Sequence, residues 1–218
     1  NWAGLIPGVG TIGWGTPTPQ GGLEHISRPL FRGVNADLNM TLAMATLFFL
    51  CWIVWALQAN GIGGFTPDGR EYVITTTPAQ TTPAPWANVL ANPRFGSVIS
   101  ESGQAYTWGE NAHEFRLTPW HNDPVSDASG EAFYLRDEDS GHFWSPTPLP
   151  RRGATPYVSR HGFGYSVFEH AEGGIRSALW VYVAQDASVK FSVLKVRNAS
   201  GRPRRLSATG YVEWVLGD

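Results

Sequence analysis

The sequence predicts a mainly β fold, an antiparallel β-sandwich preceded by an irregular loop and one α-helix of transmembrane type. Three observations lead to this prediction. Residues 38–57 are mostly apolar and carry no charged side chain, which is typical of a long apolar helix. Beyond residue 61 apolar residues alternate with polar ones, as they do in half-buried strands. Turn sequences containing glycine separate these alternating segments, so the strands should form hairpins.

The charge and cysteine content exclude some functions. The formal net charge of the 218 residues is -2, so no basic excess favours nucleic acid, and we expect no nucleic-acid partner. Residues 1–59 contain very few charged side chains, whereas the rest of the chain has an ordinary polar composition. Cys51 is the only cysteine of the sequence, which rules out an intrachain disulfide and a cysteine-based zinc cluster.

The first part of the chain combines an irregular segment with the apolar run. Residues 1–22 are dense in glycine and proline and should form an irregular loop. A helix over residues 38–57 would be about 30 Å long, roughly the hydrocarbon thickness of a bilayer. Asp37 can cap its start, and Trp52 and Trp55 lie in its last turns, where an interfacial aromatic belt would place them. A buried helix of a large soluble protein is the alternative interpretation.

Two stretches of this part carry a family resemblance. NWAGLIPGVG at residues 1–10 and ADLNMTLAMATLFFL at residues 36–50 resemble the membrane-embedded subunit a of F-type ATP synthases. The resemblance covers about residues 1–65 and implies a proton-translocating membrane protein. It makes Asp37, Asn39 and Thr41 candidates for the proton path at the membrane entry. Alternatively, these polar residues only cap the helix.

Three segments of the second part predict successive hairpins and hence an antiparallel sheet. They are residues 131–148, 163–185 and 189–215, and each has a turn sequence near its middle, the last at Ser200 and Gly201. Strands that are apolar on one face need a covering layer, which makes a sandwich the simplest fold. In the third segment the apolar faces that need cover are those of Val189, Phe191 and Val193 on the first strand and of Leu206, Ala208, Val212 and Trp214 on the second.

Aromatic residues are dense between residues 86 and 144 and alternate with small polar residues. Flat rings beside amide and carboxylate groups suit carbohydrates, whose C–H faces stack on rings while their hydroxyls need directed hydrogen bonds. A sandwich core is the alternative use of such rings. A glycosidase needs two carboxylates at a set distance, which loop spacing does not establish, so no catalytic pair is assigned. The histidines lack metal-binding spacing, and no metal site is predicted.

Longer motifs of this second part carry another family resemblance. Three motifs resemble the N-terminal part of glycoside hydrolase family 94: GGFTPDGREYVI at residues 63–74, the run from TPAPW to TPLP at residues 82–150, and RHGFGYSVFEH at residues 160–170. Within the family they resemble the cyclic β-1,2-glucan synthases most, and cellobiose-type phosphorylases less. The resemblance implies a β-sandwich preceding an (α/α)6 barrel. It also implies cyclic β-1,2-glucan synthesis or inverting phosphorolysis of β-glucosides, with inorganic phosphate as co-substrate and no cofactor in this segment. The family's catalytic acid lies in the barrel, so no catalytic residue is assigned here, and we expect this fragment to be inactive alone.

The matched motifs also supply positions that should face carbohydrate or the barrel, although the resemblance does not specify their individual roles. Arg136 also fits a strand-end ion pair with Asp137, and residues 117–127 also fit a loop that supports the barrel. The carried-over positions are Trp86, Asn92, Glu101, Ser102, Tyr106, Trp108, Asn111, Glu114, Trp120, Asn122, Asp123, Asp127, Glu131 and Arg136.

The two resemblances meet within residues 61–66, which predicts two parts, residues 1–60 and 61–218. We interpret the chain as a chimera of two fragments, with the sandwich truncated before its barrel. The alternatives are a family 94 enzyme anchored through residues 38–57 and a non-catalytic glycan-binding module. The expected partners are a β-glucan or oligosaccharide, the missing barrel and a membrane. Membrane association is expected if the helix is genuine, and a cytoplasmic location for the sandwich otherwise.

Overall fold

The computed structural model describes residues 13–17, 23–29, 38–59 and 62–215, and in the first three ranges it describes side chains only for residues 42–54. The elements are β1 Gly13–Pro17, β2 Leu23–Pro29, α1 Leu38–Ala59, β3 Gly63–Phe65, β4 Glu71–Thr76, β5 Ala87–Asn92, β6 Phe95–Ser100, β7 Ala105–Gly109, β8 Glu131–Asp137, β9 Phe143–Trp144, β10 Tyr157–Gly162, β11 Tyr165–Glu172, β12 Ile175–Val183, β13 Lys190–Asn198 and β14 Leu206–Val212. The prediction of a mainly β, antiparallel fold is confirmed.

The chain divides into two compact units, Asn1–Gln58 and Ala59–Asp218. In the first unit β1 and β2 form an antiparallel pair, so the prediction of an irregular loop is wrong for residues 13–17. The helix α1 covers the predicted apolar run. Within the described ranges, no helix is both long and apolar enough to cross a membrane. A bilayer crossing needs about 20 consecutive apolar residues, so the prediction of a transmembrane helix at residues 38–57 is not supported.

The proton-path candidates belong to this first unit. Asp37 lies outside the described residues. Asn39 and Thr41 lie in the first turns of α1, where only the helical backbone is described. Their assignment to a proton path therefore stays a prediction.

The second unit contains a six-stranded antiparallel sheet with the strand order β13-β12-β11-β10-β4-β3. The predicted hairpin over residues 163–185 is confirmed, since β11 and β12 pair from Tyr165↔Tyr182 to Glu172↔Ile175. Its turn consists of Gly173 and Gly174 at φ +54° and +83°, a region that residues with a Cβ rarely adopt. This turn explains why the two glycines mark the strand boundary in the sequence.

Two three-stranded sheets, β5-β6-β7 and β14-β8-β9, form the opposing layer. The predicted hairpin over residues 131–148 is confirmed by the pairing of β8 with β9. Apolar side chains of both layers meet in two clusters, in which each fully buried leucine, isoleucine, valine or phenylalanine contributes about 1.5–3 kcal/mol. The first cluster is Leu90, Ile99, Ala105, Phe168, Leu179 and Val181. The second cluster is Leu135, Trp144 and Ile175.

The third predicted hairpin is wrong. The chain does turn at Ser200 and Gly201, but β13 pairs with β12 in the six-stranded sheet, whereas β14 pairs with β8 in the opposing layer. This crossover lets Leu194 of β13 and Leu206 of β14 pack on the second cluster from opposite layers. Strand alternation does not reveal this, because it marks a buried face and not the neighbouring strand.

The expected cover over the first strand of that segment is also absent from the described structure. Phe191 and Val193 are 42% and 38% exposed, and Val189 before them is 42% exposed. The side of β13 that faces the core is the side that carries Leu194, which packs on both core clusters. Phe191 and Val193, on the opposite side of the strand, therefore lie on the outer face of the six-stranded sheet.

Candidate functional site

The β5-β6-β7 sheet carries aromatic side chains on its outer side. Along β7, Ala105 and Thr107 are buried, so Tyr106 and Trp108 project to the opposite side of the strand. The ring of Trp120, which is 43% exposed, packs on Tyr106 with 4.6 Å between centroids and 42° between planes. Tyr106 packs in turn on Trp108 at 5.2 Å and 33°. These three rings form a partly exposed surface that we call the aromatic face.

The aromatic face depends on a glycine that the sequence analysis did not identify. Gly96 on β6 is the direct cross-strand partner of Trp108. A Cβ atom at Gly96 would lie 2.7 Å from Cε2 and 2.9 Å from Cη2 of the indole, so the ring covers the glycine backbone. An isolated glycine inside a strand is a signal for such a close approach, and Gly96 could have been found in that way.

A loop between β7 and β8 positions Trp120. An isolated bridge pairs Trp120 with Ser129, whose hydroxyl group is hydrogen-bonded to the backbone of β7. Asp123 accepts hydrogen bonds from the hydroxyl and backbone N–H of Ser126. The Ser126 hydroxyl, helped by backbone N–H groups, lowers the pKa of Asp123. The side chain of Asp123 therefore shapes the loop, while Asn122 has a positive φ of 50°.

A polar cavity of about 310 Å³ lies at the end of the sheet where β5 begins and β6 ends. Its lining includes three carried-over residues, Glu101, Ser102 and Asp127, together with Thr76 and Arg152. This volume is at the lower end of the range of ligand pockets, where a few polar groups orient a small molecule.

Glu101 joins this cavity to Trp86. Its carboxylate accepts hydrogen bonds from the Thr82 hydroxyl and, at 2.6 Å, from the backbone N–H of Trp86. Burial raises the pKa of Glu101, and the nearby charge of Asp127 adds to this effect. Burial likewise raises the pKa of Asp127, which accepts a hydrogen bond from the Ser100 hydroxyl at 2.6 Å. The two carboxyl groups are thus suited to hydrogen bonding with neutral hydroxyl groups.

Three carried-over residues lie at the other end of the sheet. Asn92 closes the β5–β6 turn and donates a hydrogen bond to the carbonyl of Ala184 at 2.7 Å. Asn111 accepts hydrogen bonds from the backbone N–H groups of His113 and Glu114 at 2.8 and 3.1 Å. Glu114 is exposed, and its carboxylate is 2.8 Å from Nδ1 of His113. The two asparagines therefore stabilise turns.

Glu131 lies inside the sandwich. Its carboxylate accepts hydrogen bonds from the ammonium group of Lys190 and from the hydroxyl groups of Thr107 and Thr118 at 2.6 and 2.9 Å. Burial alone would raise the pKa of Glu131, but the charge of Lys190 and these hydrogen bonds lower it. Glu131 therefore links β8 to β7 and β13 within the described structure.

Arg136 does not form the ion pair with Asp137 that was considered from the sequence. Its Nε lies 3.8 Å from Glu138, whereas Asp137 binds Arg204 at 2.5 Å. Successive side chains of a strand face opposite sides, so Arg136 is exposed and Asp137 is buried. Burial opposes ionisation of Asp137, but a backbone N–H, the Ser140 hydroxyl and Arg204 lower its pKa to about 2.

The carried-over positions therefore separate into distinct environments around one small sheet. Partly exposed rings and a nearby polar cavity are the components with which proteins recognise sugars. Among the described residues, no group of His, Cys, Asp and Glu side chains is arranged to hold a metal ion. The environments are the cavity end with Trp86, Glu101, Ser102 and Asp127, the aromatic face with Tyr106, Trp108 and Trp120, the adjoining loop with Asn122 and Asp123, the opposite end with Asn92, Asn111 and Glu114, the interior with Glu131, and the exposed side of β8 with Arg136.

Residues 70–218 match the model of the glycosyl hydrolase 94 supersandwich domain. The chain belongs to the glycosyl hydrolase 94 family. The aromatic face and the polar cavity both lie within the matched segment of this family member. The match begins at residue 70, and the resemblance of residues 1–65 to ATP synthase subunit a gains no support from the comparisons.

Three curated proteins are similar in sequence to most of this chain. The cyclic beta-(1,2)-glucan synthase NdvB of Rhizobium meliloti (strain 1021) is 40% identical over 160 residues, which are 73% of this chain and 6% of that protein. The N,N'-diacetylchitobiose phosphorylase of Vibrio furnissii is 34% identical over 155 residues, 70% of this chain and 19% of that protein. The solabiose phosphorylase of Paenibacillus borealis is 32% identical over 163 residues, 72% of this chain and 20% of that protein. The chain thus spans a fifth or less of the length of these relatives.

Proposed function

We propose that residues 61–218 are the carbohydrate-contacting sandwich of an enzyme that acts on β-glucans, either in cyclic β-1,2-glucan synthesis or in inverting phosphorolysis. The family match over residues 70–218 and the similarity to a glucan synthase and to phosphorylases support this class of enzyme. In this proposal the proton donor and the phosphate site belong to a barrel outside these residues. The sandwich holds or borders the glycan chain.

The aromatic face is the observation that carries the proposal. A tryptophan used only for core packing becomes buried, as Trp144 is at 1% exposure, whereas Trp120 is 43% exposed. Trp120, Tyr106 and Trp108 offer ring surface on the side of the sheet that faces away from the core. A sugar ring can stack its C–H groups on such a surface and direct its hydroxyl groups to polar neighbours.

The polar cavity supplies the hydrogen-bonding part of the proposal. One oxygen of Asp127 accepts from Ser100, and its other oxygen has no hydrogen-bond donor among the described residues. Glu101 uses its carboxylate to hold Thr82 and the backbone of Trp86, so its role is to position the cavity wall. We therefore assign direct sugar contact to Asp127 and a positioning role to Glu101.

Binding of β-1,2-linked gluco-oligosaccharides to the full chain tests the proposal. Calorimetric titration should show that Trp120→Ala weakens binding about three- to tenfold, because an aromatic contact contributes about 0.5–1.5 kcal/mol. Trp120→Phe should retain most of the affinity, since it keeps a ring. Phe163→Ala is the matched control, because Phe163 is an aromatic residue that is 87% exposed in the β10–β11 turn. Equal affinities for the two alanine variants, or no binding by the parent chain, would refute the proposal.

A further inference from the structure

The outer face of the six-stranded sheet contains a groove of about 420 Å³. Phe168 and Leu179 face the core, so their neighbours Glu169 and Ala178 lie on the opposite face of the sheet. Ala178, Ala171 and Val158 are small or medium-sized residues of this face and line the groove. Longer side chains of neighbouring positions, among them Glu169, Arg176 and Lys195, also line the groove.

Three cationic side chains line the groove without an acidic partner. Arg176 and Arg197 are direct cross-strand partners on β12 and β13, and Lys195 is opposite Ala178. In the part of the chain that the structure describes, no carboxylate lies within 4.0 Å of these three cations. Glu169 also lines the groove, but it is engaged by Arg160 at 3.3 Å. The groove therefore has an excess of positive charge.

Three other cationic residues between residues 190 and 205 are paired with carboxylates, unlike the three that line the groove. Lys190 binds the buried carboxylate of Glu131, Arg204 binds Asp137 at 2.5 Å, and the exposed Arg205 binds Asp139 at 2.8 Å. Like charges that face each other across two strands destabilise a sheet. An anion between two guanidinium groups would turn this repulsion into attraction, since the planar donors of arginine match the oxygens of a carboxylate or phosphate.

Aromatic rings continue the groove along the same face. Lys195 lines the groove, and its Nζ lies 5.3 Å from the ring centroid of Trp180. Trp180 stacks on Tyr165 at 5.7 Å and 25°, and Tyr182 stacks on Phe191 at 5.2 Å and 24°. Together these four rings form an apolar platform beside the cations on the outer face of the sheet.

We propose that this groove binds an oligosaccharide with an anionic substituent. The anion lies between Arg176, Lys195 and Arg197, and the adjoining sugar ring packs against the apolar platform. Charge complementarity selects the anion, and the platform selects a sugar, because a small inorganic anion would leave the rings unused. The groove is on the opposite face of the six-stranded sheet from the core, and the inference does not rest on the function proposed above.

The experiment uses the full chain and a β-glucosyl-glucuronide disaccharide, with neutral cellobiose and inorganic phosphate as comparison ligands. Calorimetric titration should show binding of the acidic disaccharide that weakens at least about tenfold in the double variant Arg176→Gln/Arg197→Gln. The matched control is Arg94→Gln/Arg202→Gln, which removes the same charge from two exposed arginines outside the groove and should leave the affinity unchanged. Added salt should weaken binding, since the cations are exposed.

Several outcomes would overturn this inference. Cellobiose binding as tightly as the acidic disaccharide would remove the role of the anion, and phosphate binding as tightly would remove the role of the sugar. Equal affinities for the two double variants would place the binding elsewhere. Thermal unfolding of the free variants provides a second test, because removing the Arg176–Arg197 repulsion should leave the melting temperature equal or higher, and a clear decrease would contradict the argument. The Trp120 variants test only the function proposed above.

Discussion

Replacing Gly96 with alanine tests the geometry of the aromatic face directly. The added Cβ would lie 2.7 Å from Cε2 of Trp108, whereas ordinary contacts begin at 3.4 Å. Cζ2 of the indole would lie closer still, so the ring must move by more than about 0.7 Å, the difference between the two distances given for Cε2. Because Tyr106 packs on that indole, it must move as well.

The expected cost follows from the effect of overpacking. Inserting a methyl group into a well-packed contact costs about 1–3 kcal/mol. Replacing a strand glycine returns up to about 1 kcal/mol, because the unfolded chain loses conformational freedom. We expect a net loss of roughly 1–2 kcal/mol for Gly96→Ala, which corresponds to a melting temperature lower by about 2–8 °C in a chain of this size.

Thermal unfolding followed by near-ultraviolet circular dichroism measures both stability and tryptophan packing. Gly109→Ala is the matched control, because Gly109 lies on β7 beside Trp108 and a Cβ there would meet no atom within 4 Å. The control should melt at or slightly above the temperature of the parent chain. If both variants have the same melting temperature and the same near-ultraviolet spectrum, Trp108 does not cover Gly96, and the described aromatic face is incorrect.

Three further predictions concern buried ionisable groups. Burial lowers the pKa of His161 from 6.5 to about 4, so between these pH values the unfolded chain binds more protons than the folded chain. The free energy of unfolding should therefore fall as the pH drops from 6.5 to about 4. Urea unfolding across this range measures the pH dependence, which His161→Gln should reduce. Lys190→Met leaves the buried carboxylate of Glu131 without its cation and should lower the free energy of unfolding, measured in urea, by about 3–5 kcal/mol. The additional change Glu131→Gln should restore most of this loss. A loss below about 1 kcal/mol would show that the ion pair is solvated. The pKa of Asp137 is lowered to about 2, so the stabilisation by its bond with Arg204 is fully present above pH 3.8, the ordinary pKa, and is lost as the pH falls to about 2. The melting temperature of the parent chain should therefore drop over this pH range, and that of Asp137→Asn should not drop for this reason.

Local patterns predicted some of the fold. The hairpins at residues 131–148 and 163–185 were predictable, because each has two alternating strands joined by a short turn rich in glycine or aspartate. The pairing of β14 with β8 was not predictable in this way, since it joins strands far apart in the chain. The hydrophobic packing of Leu194 and Leu206 on one cluster decides that pairing.

In the candidate site, too, residue types were predictable from the sequence, whereas their positions in the fold were not. The motifs identified the residue types of the proposed carbohydrate surface, but they did not distinguish Trp120 on the outer side from Glu131 in the interior. Glu131 is internal because Lys190, fifty-nine positions later in the chain, compensates its charge. A single sequence does not reveal which distant side chain supplies that compensation.

The sequence by itself determined the mainly β class, the apolar helix and the position of the tight turns, because each depends on neighbours within a few residues. Only the tertiary structure decided which strands are adjacent, which face of β13 is buried, and which of the carried-over residues form the aromatic face or line the cavity. These features arise from contacts between distant segments, where burial of apolar surface and compensation of charge select one arrangement among many with the same local pattern. The groove at Arg176 and Arg197 is of this kind, because two arginines separated in the chain become direct neighbours only after β12 and β13 pair.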